Sequence, residues 1–449
     1  MILLPAHFPA QVFREPRVDH LPPEKITKYR RLRACHECDW LMALPRLKAG
    51  EMAKCPRCAT PLVRRHRRPA QRSMALAVAA LIALAVSLAF PFFRLSLSGI
   101  ETRLDLPGLA STLLAFEQPI VAITVMLTVM VLPLLFLLAV IWLQYGLLRG
   151  RPLPASRSIA RALTHLYPWM MADVFVTGAL VSLIKVSGMG DFELGPAFWA
   201  FCAFETLFLF CLQSLDPDWL WFALAGEPRP PRGARPGDTA ARQGVAGCPT
   251  CGVVNRLSAT GWARCRRCAE RYPVRRPHSL QQTWALILAA SLMYLPANIY
   301  PMMTSQALGQ VYPGTILGGI VAMFELGSWF VAIVIFAASV VIPIGKIMLL
   351  AWLCLVARRG EGVNARARTR VYRVIDFIGR WSMVDIFVMT IVVSLVQAGS
   401  LVSITPGPAA LAFGAVVILS MLAVMAFDSR LIWDSPDQAT SANPEGSAP

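Results

Sequence analysis

Residues 169–176 read Trp169-Met170-Met171-Ala172-Asp173-Val174-Phe175-Val176, and residues 381–388 read Trp381-Ser382-Met383-Val384-Asp385-Ile386-Phe387-Val388. The match continues on both sides. Ser182-Leu183 answers to Ser394-Leu395 and Asp216 to Asp428. Upstream, Pro133 answers to Pro343, Phe116-Glu117 to Phe324-Glu325 and Pro91 to Pro301. The offset is nearly the same for every pair, and aligned features at a near-constant spacing mark an internal duplication.

What is duplicated is a membrane unit. The chain has 449 residues, 56% hydrophobic and 15% charged, with a mean hydropathy of +0.55. Soluble domains carry about 25% charged residues. A single soluble core cannot take up so much apolar surface, whereas a bilayer can. Eight apolar segments are legible: 74–93, 120–148, 170–186, 196–215, 284–300, 328–356, 382–401 and 408–427. Most are near the roughly 20 residues that cross the hydrocarbon. The second and sixth are longer and should tilt or run past the surface.

The formal charge of +17 would suggest nucleic acid in a soluble protein. Here the basic residues lie between apolar segments. Residues 1–73 include Arg64, Arg65, Arg67, Arg68 and Arg72, and 149–168 carries Arg149, Arg151, Arg157 and Arg161. Stretches 216–283 and 358–380 are again Arg-rich. By contrast 94–118 has only Arg94 and Arg103, and 187–195, 301–327 and 402–407 have no Lys or Arg. This alternation predicts eight spans with both termini cytoplasmic. Four spans per unit give the two units one orientation, related by an axis along the membrane normal. The polar, basic stretch ahead of the first apolar segment shows no cleavable signal peptide.

Eight of the 11 cysteines form CxxC pairs. Cys35 and Cys38 are followed by Cys55 and Cys58, and Cys248 and Cys251, over a slightly shorter loop, by Cys265 and Cys268. Two such knuckles present four thiolates to one ion, and a closed tetrahedral set of four sulfurs suits structural Zn²⁺. An iron centre and dithiol redox chemistry are the alternatives. A reducing cytoplasmic side disfavours stable disulfides. Arg57, Arg266 and Arg267 would help keep the thiolates charged. His36 and His66 are substitute ligands that four cysteines make unnecessary. A module this small needs its metal to fold at all.

Charge inside a span marks a candidate functional position. Lys346 lies mid-way along the sixth segment, and its counterpart in the first unit is apolar. Asp173 and Asp385 begin the third and seventh segments, Glu205 lies within the fourth, and Lys185 near the outer end of the third can snorkel. These groups can form a structural ion pair, pass a proton with Ser182, Ser382, Thr390 and Ser394 as relays, or meet a substrate headgroup. Asp173 and Asp385 can also simply cap their helices. Pro133 and Pro343 should kink the long spans and free backbone carbonyls. The outer segments 99–118 and 304–327 can hold short re-entrant or interfacial helices. No Walker loop, GxSxG, HExxH or dinucleotide fingerprint is present, so no enzyme is expected.

Two units of CxxC…CxxC plus four spans, with the Trp-x-Met-x-Asp-[Val/Ile]-Phe-Val segment in each, resemble the paraquat-inducible protein A family over roughly residues 30–434. The resemblance implies an inner-membrane protein of Gram-negative bacteria. Its implied partner is a membrane-anchored MCE-domain protein forming a tunnel toward the outer membrane, and its implied role is to load phospholipid into that tunnel or receive it. Coupling to the proton gradient would then supply energy. A non-transporting scaffold for the MCE protein and a membrane redox protein are the competing readings.

The expected architecture is an all-α polytopic membrane protein of two tandem four-helix repeats, each preceded by a cytoplasmic zinc ribbon. Ribbons occupy 30–68 and 248–276, and helical units 74–216 and 284–428. Residues 226–247 form a flexible linker, and 435–449 a disordered tail. The metal ligands are the eight paired cysteines. The transport candidates are Lys346, Asp385, Asp173, Ser382, Thr390 and Glu205.

Overall fold

The computed structural model describes residues 31–434 except 46, 98–99, 117, 187–190, 308–309, 326, 328, 360–363, 382, 396 and 399–401. Ser382, Glu117 and the 435–449 tail lie outside the described residues, as do the side chains of Lys185 and Asp385. The described residues fall into two compact units. One takes those within 1–80, 135–168 and 206–274, the other those within 81–134, 169–205 and 275–449.

In chain order, the described residues open with two hairpins. Strand β1 (Leu32–Ala34) pairs antiparallel with β2 (Leu41–Ala43), and β3 (Met52–Lys54) with β4 (Pro61–Arg64). Helix α1 (Pro69–Ala89) follows, then strands β5 (Phe93–Leu97) and β6 (Ile100–Leu104), and a short apolar helix α2 (Leu106–Ala115). Helix α3 (Pro119–Met126) runs through a π-helical turn, Leu127–Val131, into α4 (Leu132–Leu148). The amphipathic α5 (Ser156–Leu166), α6 (Ala172–Val186), β7 (Asp191–Leu194), α7 (Pro196–Ser214) and α8 (Pro217–Ala225) complete the first half. Several of these helices open on proline, whose fixed φ and missing N–H suit the first turn.

The second half repeats the order. Two hairpins, β8 (Val245–Gly247) with β9 (Val254–Arg256) and β10 (Trp262–Arg264) with β11 (Arg271–Pro273), precede α9 (Ser279–Ile299). Strands β12 (Met303–Ala307) and β13 (Gln310–Gly314) lead to α10 (Ile316–Glu325). Helix α11 (Trp329–Phe336) passes through a π turn, Ala337–Val341, into α12 (Ile342–Arg359). Then come α13 (Ala365–Trp381), α14 (Val384–Leu395), β14 (Gln397–Ala398), β15 (Val402–Pro406) and α15 (Pro408–Ala426).

The π turns explain what the prolines do. Pro343 has no N–H for the carbonyl of Ser339, four residues back. The helix widens there into the π turn, and the Tyr294 hydroxyl donates to the Ser339 carbonyl at 3.4 Å. Pro133 follows its own π turn in the same way.

The all-α expectation needs correcting. Outside the ribbons, β6-β5-β7 form a three-stranded antiparallel sheet and β13-β12-β15-β14 a four-stranded one. Segments 99–118 and 304–327 do carry helices, α2 and α10, but each is reached through a hairpin. The sheets are closed at two equivalent joints. Gly195 N–H donates to the Phe92 carbonyl at 3.0 Å, and Gly407 N–H to the Met302 carbonyl at 2.9 Å. A Cβ on Gly195 would lie 2.0 Å from the Pro91 oxygen, and one on Gly407 2.1 Å from the Pro301 oxygen. Only glycine lets the backbones approach so closely.

Among the described residues six helices are long and apolar enough to cross a membrane: Pro69–Ala89, Pro119–Leu148, Ser156–Leu183, Pro196–Ser214, Ala332–Arg359 and Pro408–Ala426. The chain is a multi-pass membrane protein. Of the other two expected spans, α9 has 21 residues but contains Gln281, Gln282, Thr283 and Asn298. Helix α14 has 12 residues.

Candidate functional site

All four CxxC knuckles fold alike. The residue after the second cysteine donates its N–H to the first cysteine's carbonyl: Asp39 to Cys35, Ala59 to Cys55, Gly252 to Cys248 and Ala269 to Cys265. Each of those four residues has a positive φ, between 58° and 72°. The turn so formed aims both sulfurs to one side. Each knuckle sits at the turn of its own hairpin, and in each ribbon the two knuckles face each other.

The result is two buried clusters, Cys35/Cys38/Cys55/Cys58 and Cys248/Cys251/Cys265/Cys268, with the sulfurs of each within 4.8 Å of one another. Facing sulfurs stand 3.4 and 3.5 Å apart in the first and 3.5 and 3.3 Å in the second. A tetrahedral ion with metal–sulfur bonds of about 2.3 Å needs sulfurs about 3.8 Å apart. The donor set fits a metal, and each cluster can hold one ion. None of the eight is in a disulfide.

The thiols alone are in conflict. Hydrogen bonds from Cys35 and its neighbours push Cys58 far below the ordinary thiol range, and Cys248 and its neighbours do the same to Cys265. Cys38 and Cys248 are pushed far up, by Cys35 and by Cys251 respectively. Four thiolates in one buried site require a cation. His36 points outward with its side chain 62% exposed, and neither it nor His66 is a member of a cluster. Of the three arginines expected beside the thiolates, Arg57 donates to the Cys38 carbonyl at 3.3 Å and Arg267 to the Cys251 carbonyl at 3.4 Å. Arg266 turns away to the Arg229 carbonyl.

The two ribbons share one core. Leu32 and Leu41 pack with Ala240, Val245 and Val254, and Arg33 forms an isolated β-bridge with Val253. The segment read as a flexible linker is held to the first ribbon: Leu41 N–H donates to the Asp238 carbonyl at 2.9 Å and Ala240 N–H to the Asp39 carbonyl at 2.8 Å. A buried charge network crosses the joint. Arg33 pairs with Asp218 at 2.7 Å and Glu227 at 2.6 Å, and Arg31 and Arg267 close it at 2.8 Å to Asp218 and 3.6 Å to Glu227. Burial acts to raise both carboxyls, but Arg33 and Arg31 outweigh it and hold Asp218 and Glu227 below their ordinary range. Both ribbons also reach the helices of their unit, through Arg65–Asp216 at 4.0 Å and Arg161–Glu270 at 3.3 Å. No sequence spacing links Arg33, Asp218 and Glu227, so the network was invisible before folding.

Lys346 is buried in α12. Its Nζ donates to the Ser420 hydroxyl at 3.0 Å and the Gly379 carbonyl at 3.4 Å, and Asp376 on α13 attracts it. Ser420 and Gly379 were not foreseen as its partners. Glu205 is buried in α7, and its Oε2 has no hydrogen-bond partner among the described residues. Asp173 is half-buried in the first turn of α6, its Oδ1 accepting from the Val174 N–H at 3.0 Å, and its charge acts on Glu205. Thr390 is buried and donates to the Ile386 carbonyl at 2.7 Å. Ser182 donates to the Gly178 carbonyl at 2.8 Å and the Val388 carbonyl at 3.3 Å. Asp385 begins α14, with its side chain outside the described residues. The structure thus joins Asp173 with Glu205, and gives Lys346 a separate setting of its own.

The chain is 39% identical over 401 residues to the intermembrane transport protein PqiA of Escherichia coli K12, covering 89% of this chain and 95% of that protein. A probable intermembrane transport protein of Haemophilus influenzae is 30% identical over 428 residues, 93% and 98% of the two chains. The lipophilic envelope-spanning tunnel protein A of Escherichia coli K12 is 31% identical over 407 residues, 91% and 92%. No solved structure matches. Two of these relatives are named for transport and the third for a tunnel, none for catalysis. One family model, paraquat-inducible protein A, matches twice, at residues 70–225 and 280–437. The two matches cover the helices of both halves, and the chain belongs to the paraquat-inducible protein A family.

Proposed function

We propose that the chain is the inner-membrane subunit of an envelope lipid-transport system. It passes phospholipid between the inner membrane and a periplasmic tunnel built by a membrane-anchored MCE-domain partner. The names of the relatives, intermembrane transport and envelope-spanning tunnel, support a role between membranes.

In this reading two helical units, 74–216 and 284–428, each cross the membrane four times, with ribbons and termini in the cytoplasm. Residues 435–449 are a disordered tail. Helix α9 supports its own place as a span by exposing Leu288, Leu292, Leu295 and Ile299 along one side. Helix α14 is buried from Ile386 to Leu395, and a short helix is tolerated at membrane depth where protein surrounds it. Two structural zinc ions fill the cysteine clusters, because a closed shell of four thiolates leaves no position for substrate. The two outer sheets form the side that receives the tunnel protein.

The observation that carries the proposal is Lys346. A cation buried at membrane depth with one hydroxyl and one carbonyl as hydrogen-bond acceptors is costly for stability alone. In the proposed mechanism it meets the lipid phosphate. Glu205, whose Oε2 has no hydrogen-bond partner among the described residues and which Asp173 influences, holds the transported proton. Asp385, Ser382 and Thr390 are the second unit's further candidates for carrying that proton.

Lipid exchange between the two membranes of cells carrying Lys346→Met and Lys346→Arg is the test. Met should abolish transport at normal expression, and Arg should retain part of it. Full transport with Met would remove Lys346 from the mechanism. A purified chain that brings down neither an MCE-domain protein nor phospholipid would overturn the whole reading.

A further inference from the structure

We propose that α13 is a docking surface for the headgroups of anionic phospholipids on the inner-leaflet side of the second helical unit. The proposal names the lipid class that the transport reading leaves open. It rests on that reading only for what becomes of the lipid afterwards.

Helix α13 has 17 residues, with five arginines and a single acid, Asp376. Its two sides differ. One side buries Ala365, Thr369, Ile375 and Gly379. That side is tied down by the Trp433 indole N–H donating to Thr369 at 2.9 Å and by Tyr372 packing on Phe427 with ring centroids 5.6 Å apart. The other exposes Arg366, Arg370, Val374, Phe377 and Trp381. These five follow a helical spacing of three and four and so form one stripe. The stripe is graded, with guanidinium groups at its start and apolar and aromatic groups at its end.

A graded stripe of that kind suits a lipid surface. Aromatic side chains settle at the boundary of headgroup and acyl chain, while arginine reaches the phosphates. Phe377 is 58% exposed and Val374 46%, a poor arrangement in water. The positive charge selects the anionic lipid. A soluble acidic protein would match the arginines but leave Val374 and Phe377 without a purpose.

A second observation points to the same ligand. Lys346 is buried under this helix, its Nζ on the Gly379 carbonyl, between Phe377 and Trp381 in sequence. Asp376, the single acid of α13, attracts Lys346. The first helical unit lacks both features together. At the offset that pairs Trp169 with Trp381, it has Pro154, Ser158, Ala162 and His165 in place of Arg366, Arg370, Val374 and Phe377. Where the second unit has Lys346, the first has Phe136. The basic-aromatic stripe and the buried cation thus occur in the same unit, one beneath the other.

The test uses the full chain in nanodiscs containing brominated phosphatidylglycerol or brominated phosphatidylcholine at equal content. Trp381 fluorescence is isolated by subtracting the signal of Trp381→Phe. Quenching of the Trp381 component should be about threefold stronger with the anionic lipid, and high salt should remove the difference. An Arg366→Gln/Arg370→Gln variant should be quenched equally by both lipids. No quenching by either lipid, or equal quenching in the unaltered chain, overturns the proposal. The unaltered chain decides the matter even if the double variant folds poorly. If selectivity is found but cells carrying the double variant exchange lipid normally, the docking surface stands and its place in transport falls.

Discussion

Phe175 and Phe387 meet edge to face, with ring centroids 5.4 Å apart and planes inclined at 81°. They occupy the same position in the two copies of the repeated segment. Their helices, α6 and α14, touch along the line where Gly178 leaves room for Phe387: a Cβ there would lie 2.9 Å from that of Phe387. The segment that betrays the duplication is thus also where its two copies pack. Replacing Phe175 or Phe387 by Leu should destabilise the detergent-solubilised chain, and the double variant should recover about 0.5–1.5 kcal/mol of non-additivity. Strict additivity in an unfolding titration would deny the ring contact any energy of its own.

Gly195→Ala and Gly407→Ala place a new methyl against backbone oxygen. Each should cost about 3 kcal/mol or prevent folding. Gly345→Ala, with open space at its Cβ, serves as the tolerated control. Fluorescence-detected size exclusion and thermal midpoints separate the three. A stable Gly195→Ala chain would mean that the sheet joint yields.

Metal content checks the ribbons. Elemental analysis of purified chain should find about two zinc ions, from four ligands per site. Cys38→Ser should leave about one, in the second cluster. Iron with visible absorption would instead favour redox chemistry.

Arg33→Met should be among the most damaging changes outside the membrane. It leaves Asp218 and Glu227 with only Arg31 and Arg267 to offset their charge, and breaking a buried ion pair on one side costs about 3–5 kcal/mol. Because Arg33 bridges the two ribbons, release of metal to a chromogenic chelator should quicken at both clusters. Acceleration at the first alone would show that the ribbons behave independently.

Asp428 provides a pH signature. Burial acts to raise its pKa, but Arg430 outweighs this and brings it from 3.8 to about 2. The folded state therefore favours the carboxylate. The resulting stability is fully present above pH 3.8 and is lost as pH falls through about 2. Asp428→Asn should be less stable than the unaltered chain at neutral pH, and the gap should close with acidification across that window. A gap that ignores pH would assign the residue's worth to capping alone.

Sequence alone determined the periodic features: apolar length, CxxC spacing, the alternation of basic and non-basic connections, and the recurring Trp-to-Val segment. Each is local or repeats at a constant offset, so neighbouring residues carry the information. Even the four knuckles were legible, because each turn closes between near neighbours in the chain. These strands were missed because Phe93–Leu97 and Met303–Ala307 adjoin apolar helices, and beyond their short local hairpins the sheets are completed by β7 and β15 far along the chain. Tertiary structure alone decided that Arg33, Asp218, Glu227 and Arg267 would form one network, that both ribbons would share a core, and that Lys346 would find Ser420 and Gly379. Those groupings depend on which buried charges lower one another's desolvation cost once the chain is compact, and no linear pattern encodes that.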